Sequence, residues 1–575
     1  MNLGIDFGTS YTKLGYISDD GRFINLAGPQ GMLPSVVAFE PGTRRLFFAW
    51  DALSLPGGDA EVARYFKIEL KRNPGFRLGD FGLNDILQAY FGFLRDRYVA
   101  GQIPRPPRKV TVGVPNYFGL KSRRILLESA RSAFPGAEVE LVLEPVAALV
   151  GLLAEEGPGG AAGYEGNILI LDLGGGTADA SFIHVGPGRE LRIVLEGQLN
   201  AGSDLFSGAE VDRTVLRQVL FPLFEGKTGT LIPPRFKKEK GLNREELYQY
   251  SRMLKWAEEV KLMVQDRDVV SIDIPSFYQG RSLSAVLEKR ELSPIFERTL
   301  SALKVFMEET VKPAAEGLGL FRGGKWDVDV VVLTGGVSRM EGVENIASGV
   351  APRVIRSRAP EFSVIQGLCR WPLSKETSSP LEVKSLLPFR FYIEKKGGDS
   401  ELELIPFDTV NLELDAHGVY RLCAVYLDSV HNLSEESGKV TVRIYQGGEA
   451  QDPQEVRTDP EGLVLEESRP VQGDEPLEVW LDLSESLLTV GEEPGYREAG
   501  VPGGVESSLW ENGLAKHRET AARALGLKLG RPEVREHYGA AVKRLEKGQP
   551  FQNFDEAVKA KLLLFLDMLP RWSRR

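Results

Sequence analysis

The chain has 575 residues, 42% of them hydrophobic and 26% charged, which suits a soluble globular protein of about three or four domains and excludes a single core. Its net charge of −11, with no basic stripe carrying interleaved aromatics, excludes general binding to nucleic acid or acidic membranes. Cys369 and Cys423 lie too far apart in the chain to suggest a disulfide framework. No apolar run reaches the ~18 residues of a spanning helix, and Asp6 interrupts the N-terminus where a signal peptide would be apolar. A reducing cytoplasm without membrane insertion is the expected setting.

Leu3–Tyr16 reads as strand, turn, strand, with Asp6, Gly8, Thr9 and Ser10 at the turn. Leu33–Phe39 follows as a short strand. Val62–Arg72 is mixed helical and basic. A lysine there, Lys67 or its rival Lys71, can hold a phosphate or an attacking water, although a solvated basic face is the commoner reading of such composition. Residues 85–99 and 119–134 have helical spacing, and Lys109–Pro115 and Val139–Leu143 read as strands. Glu144-Pro145 then opens a helix where proline is tolerated. Strand ends feed clefts in α/β sheets, so Glu144 is placed either to act on a water or to stabilise a helix N-terminus.

Ile168–Ile183 repeats the first design: apolar run, Asp172-Leu-Gly174-Gly175-Gly176-Thr177-Ala-Asp179, apolar run. Glycines let the turn fold sharply and present free N–H groups as an anion-binding concavity, and Thr177 adds a hydroxyl. Asp172 and Asp179 repel phosphate directly, so they make sense beside it only with a cation such as Mg²⁺ between. Two hairpins with a shared Asp-x-Gly core imply an internal duplication, with half-domains facing each other across a cleft. Two decoys fall away. Gly157–Gly163 precedes a strand where a dinucleotide fingerprint would follow one, and Gly226-Lys227-Thr228 has Phe221 where a P-loop needs glycine.

Gly202–Asp204 and Gly208–Asp212 lead into a helix. Leu247–Val264 is an amphipathic helix carrying Glu258, Glu259 and Lys261, which on spacing alone reads as surface ion pairing. Trp326–Glu344 is strand, glycine turn, helix. At Gly335-Gly336 the backbone can approach a planar base, and Arg339 can stack on it, or the segment is a plain strand-to-helix turn. A short helix runs from Pro360 to Gly367. Lys375–Pro380 has linker composition. Beyond it Phe389–Glu394, Leu402–Ile405, Val419–Tyr426, Lys439–Tyr445 and Leu477–Leu483 alternate as strands, and three helical segments close the chain. The expected division is 1–375, a linker at 376–382, a β-rich domain at 383–490 and a helical subdomain at 505–575. The five histidines form no metal pattern.

Asp172–Asp179 resembles the second phosphate motif of the DnaK-type heat-shock-70 chaperones, and Gly4–Ser10 resembles their first. Val114–Phe118, Glu144–Ala148, Gly208–Asp212, Glu258-x-x-Lys261 and Leu333–Arg339 follow in the family's order, over roughly residues 1–373. The resemblance implies an α/β fold: a duplicated actin-like (ribonuclease H-like) ATPase domain of two lobes, then a β-sandwich-like domain and a short helical C-terminal domain. It implies Mg²⁺ and ATP/ADP as cofactors, with slow hydrolysis of ATP by positioning and charge neutralisation. By the same resemblance Gly8, Thr9, Ser10, Gly174, Gly175, Gly176 and Thr177 contact phosphates. Asp6 and Asp172 hold the cation through water, with Asp179 nearby. Lys67 and Glu144 are the catalytic pair, acting with Asp172 and Thr177. Gly208, Glu258, Lys261, Gly335, Gly336, Ser338 and Arg339 hold the nucleotide.

Leu262 stands where the family usually has an arginine beside the base, which predicts weaker binding. Leu381–Leu387 stands where the family has an acidic-leucine linker. The implied function is a divergent chaperone coupling ATP state to a client polypeptide, with exchange-factor and J-domain partners left open. The alternative is an actin-fold scaffold or filament protein without peptide binding.

Overall fold

The computed structural model describes residues 1–490 apart from 29–30, 56–59, 74, 116–117, 156–163, 187–190, 195–206, 240–241, 376–382, 386–389, 397–401, 407–413, 416–418, 426–434, 437–438, 448–452, 460–461 and 471–476. The expected linker, the Gly157–Gly163 and Gly202–Asp204 segments and the helical subdomain at 505–575 lie outside the described residues.

Two sheets repeat one topology. In the first, β1 (Asn2–Phe7) pairs antiparallel with β2 (Tyr11–Ile17), and β2 with β3 (Phe23–Asn25) and with the two-residue β4 (Leu33–Pro34). On its other side β1 runs parallel to β5 (Lys109–Val114), which runs parallel to β6 (Glu138–Leu143). In the second sheet β7 (Gly166–Leu173) pairs antiparallel with β8 (Ala178–Val185), and β8 with β9 (Leu191–Val194). There β7 runs parallel to β10 (Val330–Thr334), which runs parallel to β11 (Arg353–Arg356). The orders β6-β5-β1-β2-β3 and β11-β10-β7-β8-β9 therefore correspond strand for strand. Strands covered on both faces bury side chains of both orientations, which explains the unbroken apolar run Val330–Leu333 of β10.

Helices α1 (Leu83–Leu94) and α2 (Leu120–Ala133) cover the first sheet through Ile86, Tyr90, Leu126 and Ala130. The second sheet carries α4 (Gly208–Val215) and the long α5 (Arg244–Asp266), whose Met253, Ala257 and Val260 enter its core. Between the sheets α3 (Glu144–Glu155) crosses α6 (Ser363–Lys375), sealing a third core with Ile168, Ile170, Leu368 and Trp371. The crossing is possible because both helices carry glycine at the contact. A Cβ on Gly367 would lie 1.7 Å from the Ala147 carbonyl oxygen, and one on Gly151 would lie 2.2 Å from that of Ser363.

The expected single strand Leu33–Phe39 is split. Its first two residues join β2, whereas Val36–Glu40 pairs with Arg45–Phe48 and Glu61–Arg64 in a separate three-stranded sheet. Ser35 makes the break: it is fully buried, its N–H donates to the Ser10 carbonyl at 2.8 Å and its hydroxyl to that of Gly8 at 2.7 Å. The chain thus switches sheets while bracing the first hairpin.

Beyond α6, β12 (Val383–Ser385) adds to the second sheet, parallel to β9, and itself pairs with Leu414–Asp415. The remaining strands form a sheet around Arg390–Lys396 and Lys439–Gly447 and a smaller one of Val419–Val425, Leu477–Asp482 and Leu487–Val490. One apolar core joins both, with Phe391, Ile393, Val442 and Ile444 from the first and Val479, Leu481, Leu488 and Val490 from the second. Leu120 of α2 is buried in that same core, its N–H donates to Gln446 Oε1 at 3.0 Å, and Arg131 pairs with Glu485. The β region is thereby docked on the first half of the chain. Among the described residues no helix is long and apolar enough to cross a membrane.

Candidate active site

The two central hairpins share one construction. In β1–β2 the Gly8 N–H donates to the Tyr11 carbonyl at 3.1 Å, and in β7–β8 that of Gly174 donates to Thr177 at 3.0 Å. Asp6 opposes Lys13 in the first register, and Asp172 opposes Asp179 in the second. The tips meet across the lobes. A Cβ on Gly175 would lie 2.1 Å from Ser10 Oγ, and one on Gly176 2.2 Å from Thr9 Cγ2. Any side chain at those glycines would wedge the hairpins apart.

They meet in a cleft of about 290 Å³. It is lined by every residue expected at the site except Ser338. Ser338 is fully buried, and its hydroxyl donates to the Gly335 carbonyl at 2.6 Å. It shapes the glycine turn without reaching the cleft. At that turn Gly335 has φ of 78°, a left-handed value that favours glycine. A Cβ there would lie 2.5 Å from Asp172 Oδ1.

Lys67 is placed by a short helical turn, Phe66–Ile68, entered through Tyr65 at φ of 62°. Its ammonium is 2.7 Å from Glu144 Oε1 and within 6 Å of the Phe7 and Phe118 rings. Lys71, the rival, is half-buried and does not line the cleft. Burial pushes the Glu144 carboxyl above the usual range against the pull of Lys67. Asp172 is pushed up to about 8, by burial first and then by Glu144, Asp179 and Asp6. Burial likewise raises Asp179 to about 7 although Thr177 donates a hydroxyl to it at 2.8 Å. The floor of the cleft is thus crowded with carboxyls that lack sufficient counter-charge.

Glu258 and Lys261 are not surface decoration. Lys261 is buried 2.7 Å from Asp212, and Glu258 accepts the Tyr11 hydroxyl, so α5 is tied to both α4 and the first hairpin. Burial raises Asp212 to about 6 despite Lys261. Gly208 sits at the start of α4, where its N–H donates to the Gly174 carbonyl at 3.1 Å and the next N–H to that of Gly175 at 2.8 Å. On the far wall Arg339 is held by Glu361 through two hydrogen bonds of 3.0 Å. Leu262 and Gln265 of α5 line the same wall of the cleft as Lys261.

Sequence reasoning missed Tyr11, Lys13, Asp212 and Glu361. Lys13 was findable, since it follows Asp6 by the same interval that separates Asp179 from Asp172. Glu361 carried no signal, because only the fold brings it to Arg339.

Among the described residues no three histidine, cysteine, aspartate or glutamate groups converge closely enough to grip a metal directly. The donor set fits a cation that keeps its water: buried carboxyls with raised proton affinity, spaced around an open cleft.

Duplicated sheets whose matched hairpins meet over a carboxylate-lined cleft define a two-lobed, actin-like fold. Residues 97–353 match the family model described as Hsp70 protein. The chaperone protein DnaK of Thermotoga neapolitana and that of Thermotoga petrophila are each 24% identical over 358 residues, covering 60% of this chain and 54% of the relative. These matches show that the N-terminal part of this chain is similar to the Hsp70 family. The chain spans about half the length of the curated relatives it matches.

Proposed function

We propose that this protein is a divergent DnaK-like chaperone that hydrolyses ATP and couples nucleotide state to polypeptide binding by its β-rich region. The observation that carries the reading is the meeting of two matched Asp-x-Gly hairpins, one from each repeated sheet, in a single cleft. In this reading the chain divides at 375, and the β-rich region from 383 is the candidate client-binding part.

The N–H groups of Gly175 and Gly176 and the hydroxyls of Thr9 and Ser10 bind the phosphates from two sides; Gly174, whose own N–H is held by the Thr177 carbonyl, keeps the turn in shape, and the Thr177 hydroxyl joins them by leaving Asp179. Asp6 and Asp172, with Asp179 nearby, would hold Mg²⁺ through water, and the cation would supply charge neutralisation on the phosphates. Lys67 positions the attacking water or the terminal phosphate. Glu144, its proton affinity raised by burial, orients that water. Because phosphoryl transfer asks for positioning and electrostatics more than covalent chemistry, these groups suffice without a nucleophilic side chain. Lys261 and Glu258 bind the ribose. Gly335, Gly336 and Arg339 face the base, with Leu262 supplying an apolar contact on the other side.

The test is ATPase rate and nucleotide affinity measured with and without an extended unfolded peptide, on the full chain and on residues 1–375. Peptide stimulation in the full chain, lost in the fragment, is expected. Hydrolysis indifferent to peptide, joined by ATP-dependent light scattering that grows with protein concentration, would shift the assignment to a filament or scaffold.

A further inference from the structure

Lys13 has no part in the roles above, yet it is one of the most constrained cations in the molecule. Strand alternation on β2 turns Tyr11 and Lys13 to the cleft, while Thr12 and Leu14 face the core. The Lys13 ammonium lies 2.7 Å from Asp6 Oδ2, with only 13% of its side chain exposed. Its equivalent in the second hairpin is Asp179, opposite Asp172. The duplicated hairpins therefore differ in one respect at this position: one offers a cation and the other a carboxylate.

The charges around the floor give the difference a purpose. Among the described residues lining the cleft, Lys13 and Lys67 are the cations that face Asp6, Glu144, Asp172 and Asp179, with Lys71 acting on Asp179 from outside the lining. Lys67 is committed to Glu144. Lys13 is the cation beneath the Gly8–Ser10 turn, where the phosphate chain of a nucleotide would lie. The Lys13 ammonium carries three donors, so an anion lying above it can compete with the Asp6 carboxylate for it whether or not a metal is present. A lysine stem has the rotational freedom to make that exchange.

We propose that Lys13 is a phosphate-binding residue, exchanging Asp6 for an oxygen of a bound nucleoside diphosphate and giving the diphosphate a hold that does not depend on the metal. This rests on the nucleotide-site reading above. The merely structural alternative is that Lys13 serves only to neutralise Asp6.

Calorimetry on the full chain in EDTA separates the two, with ADP and adenosine as probes and wild type, Lys13→Met, Lys13→Arg, Asp6→Asn and the Asp6→Asn/Lys13→Met double variant compared. Lys13→Met should weaken metal-free ADP binding by about tenfold, the scale of one charge-assisted hydrogen bond. Adenosine affinity should stay within about twofold, and Lys13→Arg should retain most ADP affinity. The deciding pair is Asp6→Asn against the double variant. Neither contains a buried Asp6 carboxylate needing a partner, so the comparison survives if Lys13→Met alone fails to fold. The double variant should again bind ADP about tenfold more weakly. Equal ADP affinity in that pair overturns the role of Lys13 and leaves the nucleotide site standing. Wild type taking up neither ADP nor adenosine overturns both.

Discussion

At the scale of single residues, the cleft is governed by carboxyls that burial makes reluctant to ionise. Lys67→Ala and Glu144→Gln should each reduce ATP turnover by at least about a hundredfold, the scale of a lost acid–base or positioning group, while nucleotide affinity measured by calorimetry changes much less. Turnover near wild type in both would remove the pair from the site. Asp172 gives a pH prediction. Between the ordinary carboxylate range and about 8, the folded nucleotide-free chain keeps a proton on Asp172 that the unfolded chain has lost. Stability therefore falls as pH rises through that window, by up to roughly 1 kcal/mol per pH unit. Urea unfolding in EDTA at pH 6 and 8 should show a larger loss for wild type than for Asp172→Asn. Asp6, Gly8, Asp172, Gly174 and Thr177 were legible because hairpin chemistry is local. The Asp212–Lys261 and Arg339–Glu361 pairs were not, since their partners lie 49 and 22 residues apart on different elements.

Among the described elements, the crossing of α3 and α6 is a close contact between backbones that a single substitution tests. Gly367→Ala places a methyl against the Ala147 backbone, where neither helix has a flexible side chain to yield. It should destabilise the protein by about 2 kcal/mol or more in urea unfolding, as overpacking does. Gly92, with open space around its α-carbon inside α1, should instead tolerate alanine and gain slightly from helix propensity. Most strands were legible from apolar runs. Leu463–Pro470 was missed because Glu466, Glu467, Ser468 and Arg469 interrupt the alternation. The strand forms because its partner supplies the counter-charge, Arg443 lying 2.8 Å from Glu466. Leu33–Phe39 was read as one strand because nothing local announces that Ser35 will be claimed by the first hairpin.

For the molecule as a whole, the consequential contact is Leu120 of α2 within the core of the β region. Leu120→Ala should cost the full chain about 2 kcal/mol or more in urea unfolding and cost residues 1–375 far less, because the atoms covering Leu120 are absent from the fragment. An equal cost in both would mean that the β region is not docked there. A second tie is β12, which runs as a strand of the second sheet where the family resemblance had suggested only an altered linker. In the proposed reading these two ties are the physical route from the cleft to the β region, since α2 covers the first sheet and β12 extends the second.

The sequence by itself determined the duplicated hairpins, the glycine turns and the order of the motifs, because each rests on neighbours within a few positions and on what glycine and alternating apolar residues allow. Only the tertiary structure decided that the two hairpin tips touch, that Lys67 and not Lys71 enters the cleft, that Ser338 stays behind it, and that the β region rests on α2. Those outcomes depend on which distant backbones can approach and which buried charges find partners. No local pattern encodes such distances, whereas close packing leaves room for one arrangement.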